Sequence, residues 1–207
     1  MGEKMSARDR ILDRVRRASV PLLDTPAPLK PAMAQTNGEA ALSQFTAKAE
    51  AVNTTVSRIA SMNDLPKALA EELRNRNLPA AIRTGEDPAF DRDWGTVERT
   101  TGPGRSEEPA TMTMAKFGLA ETGTVVMTSG AENPATLNFL GETHFAVVRS
   151  QDIQSGFEDL WAAYREQGVN PRTVNLITGP SRSGDIGQTL QLGAHGPVAL
   201  HIFVVDG

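Results

Sequence analysis

The sequence contains no cysteine. That absence excludes disulfides, a thiol nucleophile, cysteine-ligated zinc and any iron–sulphur cluster held by the chain's own thiolates. Long apolar runs are missing as well: no window reaches the 18 or more residues of a membrane span. The start, MGEKMSARDRILDRVRR, has no apolar stretch of the signal-peptide kind, so a cytoplasmic location is expected. Nor is the chain basic. Its net charge is -4, and residues 1–20 hold six basic and three acidic side chains, which leaves -7 for the remainder. A mildly acidic body argues against a nucleic-acid platform. The three histidines, His144, His195 and His201, lack metal-ligand spacing, so no metal site is expected. His144 and His201 fall in strand-like runs and read as structural; His195, in the turn AHGP, is placed to reach a ligand.

What is present reads as one α/β core. With 207 residues, 39% hydrophobic and 22% charged, the chain can bury one substantial core, or a core domain plus a smaller helical part. Ser6 and Asp9 form a capping box, and Ile11, Leu12 and Val15 make one apolar stripe, so the early arginines read as the wet face of a short helix. Pro21, Pro26, Pro28, Pro31 and Asn37–Gly38 mark a linker. The division expected is residues 1–40 as helix and proline-rich linker, and 41–207 as the α/β domain.

Helices are expected over about 41–60, about 64–77 behind Asp64, and from a cap at Asp152 to a stop at Gly168. Strands are expected at 78–85, within 121–130, at 143–150, at 173–178 and in the closing VALHIFVV, with a short helix after Asn133–Pro134 and another over about 184–192. Alternating strands and helices with near-continuous apolar strands predict an open, mostly parallel sheet with helices on both faces and an N-terminal helical extension.

Two motifs carry the candidate chemistry. TGPSRSGD, residues 178–185, follows a strand and precedes the expected helix, which places it beyond the carboxyl ends of the sheet strands, where ligands of open α/β sheets lie and unpaired backbone N–H groups favour an anion. Gly179 shapes that turn, Ser181, Ser183 and Arg182 supply donors, and Asp185 and Gln188 lie just beyond. It is neither a Walker A loop nor a G-x-G-x-x-G loop. The alternative is structural: Gly179 and Pro180 make the turn and Ser183 or Asp185 caps the helix. In AETGT, residues 120–124, Glu121 is placed to act as base, nucleophile or ligand clamp beside Thr122, Gly123 and Thr124. It can equally pair with an arginine or cap a loop.

FGLAETGTVVMTSG at 117–130, NPATLNFLGETHFAVV at 133–148, and LITGPSRSGDIGQTLQLGAHGP before VALHIFVVDG together resemble the LUD-domain family, in particular its lactate-utilisation protein C branch. The strong resemblance covers about residues 112–207, and the ILDRVRR helix and the 41–77 helices extend it. Gly187 stands where that family usually shows an acidic residue, which also weakens a helix by about 1 kcal/mol relative to alanine. The resemblance implies a fold of the NagB/RpiA/CoA-transferase-like group. It also implies a role in oxidising L-lactate to pyruvate alongside iron–sulphur partner proteins, whose clusters a cysteine-free chain cannot itself carry.

Two functions follow. One is an accessory subunit whose crevice holds a small anionic ligand; the other is a transferase- or ligase-type enzyme binding a nucleotide, CoA or another phosphate-bearing ligand, with Glu121 as the reacting group. A homo-oligomer is compatible with both.

Overall fold

Near-continuous burial along two seven-residue strands organises the molecule. The computed structural model describes residues 6–18, 29–168, 170–183, 191–193 and 195–207. In β7 (Thr143–Arg149) and β12 (Ala199–Val205), successive side chains point to opposite faces, and both faces are dry. Phe145, Val147, Phe203 and Val205 enter one core; Ala146, Val148, Ile202 and Val204 enter the other.

These two strands are the centre of a six-stranded parallel sheet ordered β1-β12-β7-β4-β2-β3, completed by β1 (Thr55–Ile59), β2 (Ala81–Thr84), β3 (Glu98–Thr101) and β4 (Ala110–Met114). On one face lies α3 (Leu65–Asn75), whose Leu65, Leu69 and Leu73 at i, i+4, i+8 are fully buried against Phe145 and Phe203. The other face is covered by α2 (Gly38–Ala51) together with a second sheet, ordered β8-β5-β6-β9. That sheet contains β5 (Phe117–Leu119), β6 (Thr124–Thr128), β8 (Ile153–Gln154) and β9 (Val174–Ile177), with β6 antiparallel to both β5 and β9. Its outer side packs on α4 (Phe157–Glu166) through Leu160, Trp161 and Tyr164. The layers therefore run helix, parallel sheet, mixed sheet with α2, helix.

The expected α/β class with a mostly parallel sheet holds. Several local expectations do not. The helix expected over 41–60 stops at Ala51, Asn53 turns the chain at φ 63°, and Val56 and Ile59 belong to β1. Apolar residues at 52, 56 and 59 fit a helical period, but Thr55–Ile59, opened by the β-branched pair Thr55–Val56, pairs along β12 instead. Asp152 caps no helix: it closes a 3-10 turn, and Ile153 joins β8 before α4 begins at Phe157. Gly168 does stop that helix, at φ 62°. The runs at 124–128 and 174–177 are strands, but of the mixed sheet, because Val125 and Met127 fill the core between the sheets while Val126 faces α4.

At the N-terminus, α1 (Ala7–Ala18) has the expected capping box, with the Asp9 amide donating to Ser6 Oγ at 3.1 Å, and it buries no residue. Pro21, Pro26 and Pro28 lie outside the described residues. Among the described residues, no helix is long and apolar enough to cross a membrane.

Candidate functional site

Glu121 and the 178–183 loop stand apart. Glu121 Oε2 accepts from the backbone N–H of Phe157 at 3.3 Å, the first residue of α4, while its own N–H donates to Ser155 O. The carboxylate therefore satisfies an orphan amide at the positive end of a helix, the capping role. Glu121→Ala should lower stability by about 1 kcal/mol, read as a melting-temperature loss of about 2–4 °C.

The rest of AETGT is a packing device. Gly123, at φ 69°, presses on the C-terminal end of α2, where a Cβ would overlap the Ala49 amide nitrogen and come within 2.6 Å of the Lys48 carbonyl carbon. Gly179, at φ 83°, meets the same helix end, where a Cβ would stand 2.8 Å from Val52 O. Between them Thr122, Thr124 and Thr178 form a chain of hydroxyls with two 2.6 Å links, tying AETGT to the end of β9.

The TGPSR loop does not have its expected position. β9 belongs to the mixed sheet, and the loop lies where β7 and β12 begin: the Ser181 amide donates to Pro197 O, and that of Val198 donates to Glu142 O. It is thus at the amino ends of the parallel strands, not their carboxyl ends. The expected helix over 184–192 also changes: Gln191–Leu192 (β11) pairs antiparallel with Arg182–Ser183 (β10), and residues 184–190, including Asp185, Gly187 and Gln188, lie outside the described residues. The exposed Arg182 guanidinium faces the Asn53 side-chain amide, whose oxygen, in the orientation that satisfies both groups, accepts from it.

A crevice nevertheless forms here. Its volume is about 250 Å³, between the end of β9 and the starts of β7 and β12, with Gly179, Ser181 and the exposed His195 on one side and Asn138, His144 and Leu200 on the other. Gly179, Ser181 and His195 of the expected site are brought together; Glu121 is not among its lining. Sequence reasoning missed Asn138 and treated His144 as satisfied. His144 is 0% exposed, and burial lowers its imidazole to a pKa of about 3. Its Nε2 lies 2.7 Å from Thr113 Oγ1, which donates to Asn138 Oδ1 at 2.9 Å, and its buried Nδ1 has no partner among the described residues.

A second, more polar crevice of about 540 Å³ opens at the carboxyl ends of β4 and β7, where open α/β sheets commonly bind ligands. Lys116 and Arg149 line it beside Asp152, whose carboxyl desolvation pushes up against the pull of those two cations. Nothing in the linear spacing of these residues marked them; only the strand order juxtaposes them. Among the described residues no group of three His, Asp or Glu side chains is placed to hold a metal.

Both motifs and the whole of the first crevice fall in residues 109–205, the segment that matches the LUD domain. Over that segment the chain is similar to the LUD-domain family. The chain is similar to lactate utilization protein C of Anoxybacillus flavithermus, 38% identical over 96 residues, covering 46% of this chain and 43% of that protein. The protein of the same name from Geobacillus thermodenitrificans is 41% identical over 93 residues, covering 42% and 39%. These alignments span about two-fifths of the relatives' own length. An uncharacterised protein of Neisseria meningitidis serogroup B is similar over nearly everything, 28% identical over 226 residues and covering 97% of this chain and 94% of that one. The crystal structure of a DUF162 family protein from Deinococcus radiodurans shares the fold, with a TM-score of 0.59 over 80% of this chain and 96% of that one at 22% identity. Within the matched segment, then, AETGT and TGPSR meet on α2 and at the β9 end, and TGPSR walls one small crevice.

Proposed function

We propose that this chain serves a lactate-utilisation system as an accessory subunit, with the crevice between β9 and the starts of β7 and β12 holding a small carboxylate. The observation that carries the reading is that the crevice lies within the segment matching the LUD domain, in a chain 35–41% identical over 93–99 residues to several proteins named lactate utilization protein C. The crevice suits a small acid in size, and its polar groups are Asn138, His144, Ser181 and His195 against an apolar floor at Leu200. The described crevice residues include no nucleophile paired to a base, and Glu121 is engaged on α4. An accessory role with iron–sulphur partners accommodates a chain that has no cysteine to bind a cluster.

Disrupting the gene in its host should abolish or strongly slow growth on L-lactate while leaving growth on pyruvate unchanged. Equal growth of the two strains on L-lactate would refute the role.

One observation favours a second reading. The polar crevice at the carboxyl ends of β4 and β7 offers Lys116 and Arg149 to a phosphate-bearing ligand, as a transferase- or ligase-type enzyme would need. Stabilisation of the purified protein by a nucleotide or CoA, lost in Arg149→Ala, would favour it over the accessory role.

A further inference from the structure

The two larger sheets end in the edge strands β1, β3, β8 and β9. An edge presents unpaired N–H and C=O groups to any other strand, and folded proteins guard such edges with charge, proline or extreme shortness. All but one of these edges are guarded. β1 carries Arg58, whose guanidinium is held by Glu39 at 2.6 Å and Asp206 at 2.9 Å. β3 carries Glu98 and Arg99, and β8 is only two residues long. β9 (Val174–Ile177) has no charged residue and no proline, and its Leu176 is 40% exposed.

The pairing with β6 decides which backbone groups β9 leaves open. The Ser129 amide donates to Thr173 O, and Met127 and Val125 lie opposite Asn175 and Ile177 in the same antiparallel register. Hydrogen-bonded pairs recur at every second residue of an antiparallel ladder, so Thr173, Asn175 and Ile177 turn their N–H and C=O groups toward β6. Val174 and Leu176 turn theirs outward, where they meet no partner strand among the described residues.

These outward groups are complementary to their own image. With two copies of β9 antiparallel about a twofold axis through Asn175, Val174 of each copy faces Leu176 of the other as a hydrogen-bonded pair. Every outward N–H and C=O of the strand is then matched. On the α4 face, where Val174 packs, apolar side chains oppose apolar side chains; on the other face Asn175 meets its own copy. No like charges oppose one another, and an interface with twofold symmetry requires that self-match.

We propose that β9 is a dimerisation edge, at which two copies of this chain pair β9 with β9 antiparallel about Asn175 and join their mixed sheets into one continuous sheet. The absence of charge and proline, which leaves this edge unguarded in a single copy, is what permits the pairing.

A chain without cysteine makes the test direct. Opposed residues of a non-hydrogen-bonded antiparallel pair have Cα atoms about 4.5 Å apart, within disulfide range. Full-length Asn175→Cys should oxidise to a covalent dimer at least about tenfold faster than Ser43→Cys, which places the single thiol on the exposed side of α2, because pairing raises the effective concentration of the thiols. In sedimentation equilibrium at about 100 μM, above the roughly 10 μM dissociation constant of a small interface, the wild type should show twice the 22.2 kDa mass of one chain. Leu176→Lys guards the edge with a charge and leaves the bonds to β6 in place, so it should show the mass of one chain. A monomeric wild type overturns the proposal, as does a dimer that survives in Leu176→Lys. Cross-linking at Asn175→Cys no faster than at Ser43→Cys overturns it too, and that comparison decides alone should Leu176→Lys fail to fold.

Discussion

Gly123→Ala should destabilise the protein by about 3–5 kcal/mol, a melting-temperature loss of about 6–20 °C. Two causes act together. The backbone at Gly123 has φ 69°, the left-handed region that costs a residue with a Cβ roughly 1–2 kcal/mol. The new methyl would also overlap the Ala49 amide nitrogen and stand 2.6 Å from the Lys48 carbonyl carbon, and both are helix backbone that cannot rotate aside. Relief requires α2 to move off the mixed sheet, which loosens Phe45 and Ala49 from the core between the sheets. Gly130→Ala is the control, because a Cβ there meets nothing within 4 Å and its φ is not left-handed. Equal melting temperatures for the two variants would show that AETGT does not need its glycine for packing.

Acid should weaken the fold well before the carboxylates titrate. His144 and His201 both have imidazoles lowered to about 3, His144 by burial and His201 by burial and then by Arg76, whose guanidinium lies 3.2 Å from Nδ1. In the unfolded chain each takes a proton near the ordinary 6.5. Below that value the unfolded state binds protons that the folded state refuses, so stability is full above pH 6.5 and falls as pH drops toward 3. The slope is about 1.4 kcal/mol per pH unit for each ring, or about 4 kcal/mol for both between pH 7.5 and pH 5. Asp152 works in the opposite direction, since burial favours its protonated form in the folded protein, but it is only half-buried and a single group. Urea unfolding at the two pH values measures the difference. A loss under 1 kcal/mol would mean that the buried rings accept protons in the folded state.

The sequence was most legible where one local pattern admits one structure. Leu65, Leu69 and Leu73 at helical spacing form α3, the closing VALHIFVV contains β12, and Ser6 with Asp9 caps α1. Each of these follows from the period of apolar residues or from a capping pair within four positions. Legibility failed where two structures satisfy one pattern. Val52, Val56 and Ile59 match a helix, yet the pairing of residues 55–59 with 201–205 makes a strand, a decision taken 146 positions away. Glu121 illustrates the same limit in the candidate site. Its neighbours in sequence permit a base, a clamp or a cap, and the approach of Phe157 N–H from another part of the chain makes it a cap.

By itself, then, the sequence determined the composition-level facts and the fold class: no thiol chemistry, no long apolar span, alternating strands and helices, and the residue types at two glycine-bearing motifs. Which sheet each strand joins was decided by tertiary structure, and that choice carried TGPSR to the amino ends of the parallel strands and left Lys116 and Arg149 at the carboxyl ends. The physical reason is that alternation at period two specifies a face but not a neighbour. A buried strand such as β6 is apolar whether its partners run parallel or antiparallel. Only the packing of Val125 and Met127 against Ala146 and Val148 resolves the ambiguity, and with it which side chains, His144 and Asn138 among them, come to share one wall.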